Sequence, residues 1–217
     1  MLRDSPKTEF KDGFYRQKNN GRSKTVYVNS TDDDIVVYPA VHRGKDFVID
    51  STAKPVSYKT ETKKLAGQVI SFKKNSFDFD FLTIPVKLRF HQKGLPAQLN
   101  ANINGAAYIG YRSDFYKLSY DVNPLKKAER NSSHYGYSYG VFSGFGNTLM
   151  NPTNTNSMIV KEYDGIVWSK GIAGFIAVDN FTIGLTFGDD NLMDSNRKYW
   201  LYENKIWTGL ALGLNLN

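Results

Sequence analysis

The segment Leu99–Arg112 reads Leu-Asn-Ala-Asn-Ile-Asn-Gly-Ala-Ala-Tyr-Ile-Gly-Tyr-Arg. Its odd positions are Leu99, Ala101, Ile103, Gly105, Ala107, Ile109 and Tyr111, all apolar or small except for the last ring's hydroxyl. Its even positions start with Asn100, Asn102 and Asn104 and end on Arg112. Side chains of a strand alternate between two faces, so this segment has one apolar and one mostly polar face. It exceeds the roughly 9–11 tilted residues that cross a bilayer. Strands of soluble sheets are usually only about 5–6 residues long. The expectation is an all-β chain, an antiparallel transmembrane β-barrel.

The rest of the chain repeats the pattern. Phe77, Phe79 and Phe81 share odd parity, but further on the apolar set moves to Ile84, Val86, Leu88 and Phe90, with Lys87, Arg89 and His91 opposite. A one-residue slip of this kind predicts a β-bulge, and Pro85 fits an irregular ladder there. Lys93-Gly94-Leu95-Pro96 then reads as a hairpin turn. Ser133–Leu149 sets Tyr135, Tyr137, Tyr139, Val141 and Phe145 against His134, Gly136, Ser138, Gly140, Gly144 and Gly146. The tyrosines, with Tyr111 and Phe115, read as an arc of an aromatic girdle. Gly165–Val178 puts Ile166, Trp168, Ile172, Ile176 and Val178 on one face, with Lys170 as the exception. Phe181–Gly188 and Ile206–Leu216 alternate in the same way, while Tyr199, Trp200 and Tyr202 read as a second aromatic cluster.

Composition narrows the alternatives. The 217 residues contain no cysteine, which removes disulfides, thiol nucleophiles and thiolate metal sites. Hydrophobic residues make up 41%, yet no run approaches the ~18 apolar residues of a membrane helix. The net charge of +7 brings no recognition helix or aromatic-basic sheet motif with it, so nucleic acid is not an expected partner. Residues 1–24 carry seven Lys or Arg and no apolar period, and they read as a basic tail or irregular segment. Residues 25–217 are then assigned to the barrel. Shorter strand signals at Thr25–Asn29, Ile35–Val41, Asp46–Ile49 and Gly67–Phe72 supply either its first strands or a small sheet outside the membrane. Six strands are plain downstream, which gives eight in all, with ten as the alternative. About eight strands fill their own interior with side chains, and this excludes a general diffusion pore.

The closing segment Gly209-Leu-Ala-Leu-Gly-Leu-Asn-Leu-Asn217 resembles the final strand of small outer-membrane β-barrels of Gram-negative bacteria. The resemblance covers residues 77–217 and implies a bacterial outer-membrane address, with the lipid bilayer and lipopolysaccharide as partners and envelope proteins as further ones. Two features depart from that family. The chain ends Leu216-Asn217 rather than on an aromatic residue, and a long connection at 113–132 sits on the same side as a very short one at 179–180. Residues 1–20 show no charged segment followed by an apolar one, so either the numbering starts at a processed end or the membrane reading fails.

For chemistry, a Ser–His pair of a lipid-modifying barrel enzyme needs the base within hydrogen-bond reach of the nucleophile. His134 shares a face with Ser138, but four strand residues put them roughly 13 Å apart. Ser169 or Thr186 facing His91 or His134 is the cross-strand alternative. Lys87, Arg89, His91 and Arg112 form a candidate basic lumenal patch for an anionic ligand, with Asp78, Asp80 and Glu162 as candidate acidic partners. The Asp189-Asp190-Asn191…Asp194 run fits no known calcium loop and reads as solvated. No metal or cofactor is expected. The residues expected to face lipid are Leu99, Ala101, Ile103, Ala107, Ile109, Ile183, Leu185, Leu210, Leu212 and Leu214. The expected function is non-enzymatic: membrane anchor, surface-binding protein or subunit of an envelope complex. The alternatives are the lipid-modifying enzyme and a soluble lipocalin-like barrel holding a small apolar ligand.

Overall fold

The computed structural model describes residues 10–19, 22–31, 34–62, 68–92, 94–124, 126–179 and 181–214. The described residues form thirteen strands: β1 (Gly13–Asn19), β2 (Arg22–Ser30), β3 (Asp34–Arg43), β4 (Asp46–Ile49), β5 (Val56–Lys59), β6 (Glu61–Thr62), β7 (Val69–Arg89), β8 (Gln98–Ala101), β9 (Asn104–Val122), β10 (Ala128–Met150), β11 (Tyr163–Val178), β12 (Phe181–Leu192) and β13 (Ile206–Leu214). The strand pairs with a described register are antiparallel, and the expected counts of eight or ten are too low. Two compact units share these strands: unit 1 holds residues 1–75, 113–136 and 178–180, and unit 2 holds 76–112, 137–177 and 181–217.

Unit 1 has an apolar interior. Phe10, Tyr15, Val26, Val28, Ile35, Val37, Tyr58, Ile70, Phe72, Leu118 and Tyr120 pack together. Phe10 stacks on Tyr15 at 4.9 Å and meets Tyr116 edge-on at 4.6 Å, both within the favourable range for aromatic pairs. Gln17 donates to the Tyr58 hydroxyl at 3.2 Å, and burial pushes that phenol above its ordinary pKa. The outward residues of unit 1 include many charged ones, Arg16, Lys18, Arg22, Lys24, Lys59, Lys117, Asp121 and Glu129, beside exposed apolar side chains such as Phe14, Val41, Ile49 and Val69. Residues 13–19 and 22–24, expected to be irregular, form β1 and the start of β2, with Tyr15 paired to Val26. The rest of the expected tail, residues 1–9, lies outside the described residues, as do the Asn20-Gly21 break and Asp32-Asp33.

In unit 2, β7 pairs with β13 through two registers, Trp207 opposite Arg89 and Leu212 opposite Thr83, and the shift falls between Leu210 and Leu212. Ile84 and Pro85 on β7 thus stand against the single residue Ala211 on β13, one extra residue and the bulge expected from the change of parity. Before it Phe77, Phe79 and Phe81 are exposed and Asp78 and Leu82 buried; after it Lys87 and Arg89 turn inward and Phe90 outward. Ile84 departs from the expected outward set, because it lies in the bulge and is buried. The Leu99–Arg112 segment is broken at residues 102–103 into β8 and β9. The long connection expected at 113–132 is only residues 123–127, since β9 runs on to Val122 and β10 starts at Ala128. The expected loop from Asp189 likewise starts later, because β12 continues to Leu192.

Candidate functional site

The outward face of unit 2 is apolar over its length. Phe77, Phe79, Ile109, Tyr137, Tyr139, Val141, Phe145, Ile166, Ile172, Ile176, Ile183, Leu185, Phe187, Leu210 and Leu212 are all exposed. Of the residues expected to face lipid, Leu99, Ala101, Ile103, Ala107, Ile109, Ile183, Leu185, Leu210 and Leu212 are exposed, Ile103 to 88%. The Leu214 side chain lies outside the described ones. On the outward row of β11, Asp164 is exposed next to Ile166, and Lys170 pairs with Asp189 at 2.8 Å while resting on the Trp168 ring. A soluble domain rarely exposes a contiguous apolar patch of more than a few hundred Å².

The interior of the same unit holds charge. Lys87 and Arg89 are 1% and 3% exposed, and Asp190 is fully buried. Lys87 Nζ donates to Asp190 Oδ1 at 2.9 Å and to Ser169 Oγ at 2.9 Å, and Ser169 passes its own proton to Asp190 at 2.6 Å. Arg89 Nη2 donates to Asp190 Oδ2. Lys87 also sits 4.3 Å over the Trp207 ring, and the Arg89 guanidinium lies 5.0 and 5.3 Å from the Trp200 and Tyr202 rings. A second chain runs from Tyr108 through Ser138 to Asp78, each link 2.6 Å long. Ser138 has one proton and gives it to Asp78, so Tyr108 donates to Ser138. Around these networks pack Leu82, Ile84, Phe142, Phe175 and Trp207.

Of the four residues expected in a basic patch, only Lys87 and Arg89 come together. His91 is exposed beyond the end of β7 and Arg112 is half-buried elsewhere on β9. The acid that holds the pair is Asp190. Among the expected partners, Asp78 serves Ser138, and Glu162 is exposed. Nor is the 189–194 run a solvated loop: Asp190 is buried, and Asp194 caps a short 3-10 turn by accepting from Asn196 N at 2.7 Å. In the expected aromatic cluster at Tyr199–Tyr202, Trp200 and Tyr202 meet edge-on at 6.3 Å and are buried beside Arg89.

The expected Ser–His pairs do not assemble. His134 Nε2 lies 2.7 Å from Asp114 Oδ1, its ring stacks on Tyr116 at 4.6 Å and its backbone N–H donates to Asp179 at 2.9 Å. The hydroxyls of Ser138, Ser169 and Thr186 are engaged by Asp78, Asp190 and the Gly209 carbonyl respectively. Among the described residues, no group of three or more His, Cys, Asp or Glu could hold a metal ion, and no helix is long and apolar enough to cross a membrane. Comparison with known protein families, curated proteins and solved structures finds no match.

Proposed function

We propose that unit 2 is a small closed β-barrel embedded in a bacterial outer membrane, that unit 1 stands in water, and that the chain works without catalysis as a membrane anchor, surface-binding protein or subunit of an envelope complex. The observation that carries this reading is the inversion of unit 2, with apolar side chains outside and Lys87, Arg89, Asp190 and Asp78 inside. Water drives the opposite arrangement, whereas lipid solvates the apolar face at no cost and leaves charge to the interior. Closure is supported by pairing: β13 takes β12 on one edge and β7 on the other, completing the path β7-β9-β10-β11-β12-β13. Its shortest members, β12 with 12 residues and β13 with 9, reach the length a tilted membrane strand needs. The aqueous reading of unit 1 is supported by its apolar core and by the exposed charges of β1, β2, β9 and β10.

The chain has no cysteine, so a single introduced one takes a unique label. Fluorophores at residue 185 in unit 2 and residue 117 in unit 1 should respond oppositely to lipid-borne quenchers in reconstituted bilayers. Quenching at 185 and not at 117 is the expected result. An unquenched label at 185, or protein that stays monomeric and dispersed without detergent, ends the membrane reading.

A further inference from the structure

Positive charge is in excess around Asp190. Lys87 and Arg89 bring two cationic groups to a single carboxylate, Asp190. Asp190 occupies Nη2 of Arg89, while Nη1 is buried with no hydrogen-bond partner. Tyr202, whose ring lies 5.3 Å from the guanidinium, is also buried with its hydroxyl unpartnered. Arg89, Tyr202 and Asn100 line one cavity of about 140 Å³, together with Gln98, Thr148 and Asn154. By liquid volume it has room for roughly four waters, or for one tetrahedral anion and a water. Buried donors without partners are costly and uncommon in native proteins, and here two lie beside an uncompensated charge.

We infer that this cavity binds a small free oxyanion, and that protonated phosphate fits it best. An oxyanion offers only acceptors to Arg89 Nη1 and the Tyr202 hydroxyl, and its negative charge offsets the excess. Arginine's planar fork suits phosphate and carboxylate oxygens. Asn100 supplies the distinguishing element: its Oδ1 is a buried acceptor with no partner. Hydrogen phosphate carries an O–H that can donate to it, whereas sulfate and acetate at neutral pH carry none. The inference concerns the interior alone, and it stands whether the outer face meets lipid or not.

The test is titration of the whole chain in detergent with inorganic phosphate at constant ionic strength, following tryptophan emission, since Trp200 lies against Arg89. A saturable change is expected with phosphate, at least tenfold weaker with sulfate or acetate, and accompanied by a higher melting temperature. Arg89→Gln should abolish it. Tyr202→Phe removes one unpartnered hydroxyl and no contact of the folded protein, so it keeps the fold and should weaken phosphate binding about tenfold. It carries the test if Arg89→Gln does not fold. No saturable response to phosphate, or one unchanged in Tyr202→Phe, overturns the site. Sulfate binding as well as phosphate overturns the role of Asn100. A response to phosphatidylglycerol vesicles that phosphate does not compete with would assign the cavity to lipid headgroups and overturn the free anion.

Discussion

Leu185→Arg distinguishes lipid from water around unit 2. Leu185 is 55% exposed in the middle of β12 and pairs across with Leu210, itself exposed on the same face. Its outward neighbours on β12 are Ile183 and Phe187. No acidic side chain among them could receive the guanidinium. If that face meets lipid, two losses add. Fully burying a leucine is worth about 1.5–3 kcal/mol, and just over half of that, roughly 1–1.5 kcal/mol, would come from lipid contact. Arginine on the lipid face of a barrel adds about 2–4 kcal/mol near the midplane, less toward the interfaces. The expected cost is therefore roughly 3–5 kcal/mol, reduced if the arginine snorkels. In water the same change touches only an exposed position and should stay within about 0.5 kcal/mol. Urea unfolding in bilayers, monitored by tryptophan emission, measures the difference. A cost below about 0.5 kcal/mol would refute the reasoning, because the structure leaves no packed contact to blame for a large effect in water.

Three other outcomes follow from the interior and its packing. Asp190→Asn leaves Lys87 and Arg89 buried without their counter-charge, and should lower unfolding stability by about 3–5 kcal/mol, with Lys87→Met in the same chain restoring part of it; a loss under 1 kcal/mol would mean the cations find another partner. Gly140→Ala places a Cβ 2.1 Å from the Ile109 carbonyl oxygen and 2.4 Å from Gly110 Cα, backbone that cannot step aside, so a cost of at least about 1–3 kcal/mol is expected in the same assay. Gly174→Ala meets nothing closer than the Ser138 carbonyl at 3.9 Å and should be neutral or stabilising by up to about 1 kcal/mol.

What could be read from the sequence depended on which face of a strand was charged. The outward rows Tyr135–Phe145, Ile166–Val178 and Ile206–Leu212 stand out because lipid-like residues recur at every second position, and these strands were legible almost to their ends. β1 was not: Arg16 and Lys18 alternate with Tyr15 and Gln17, so its outward positions read as a basic tail although Tyr15 is buried. The same masking hid the continuation of β9, where Lys117 and Asp121 occupy the outward row and Tyr116, Leu118 and Tyr120 the inward one. At the site, the parity change at Pro85 was enough to turn Lys87 and Arg89 inward together. Asp190 was lost to its composition, since Asp189-Asp190-Asn191 reads as loop. Its parity could have found it: Gly184, Thr186 and Asp190 fall on one face of β12, and all three are buried.

The strongest argument for two surroundings comes from single strands rather than from the units compared. Along β9 the inward row stays on even positions from Asn104 to Tyr120, with no change of register across Arg112. Before that point Asn104, Ala106 and Tyr108 face in, and Ala107, Ile109 and Tyr111 face out; after it Tyr116, Leu118 and Tyr120 face in, and Lys117 and Asp121 face out. β10 changes in the same manner: Glu129, Asn131 and Ser133 are exposed first, and Tyr135, Tyr137, Tyr139 and Val141 follow on the same row. A uniform aqueous solvent would select one of these patterns for the whole strand, because the free energy of exposing an apolar residue does not depend on where along the strand it sits. On the proposed reading, each strand keeps its faces and exchanges their chemistry within a few residues because water gives way to lipid over the same distance.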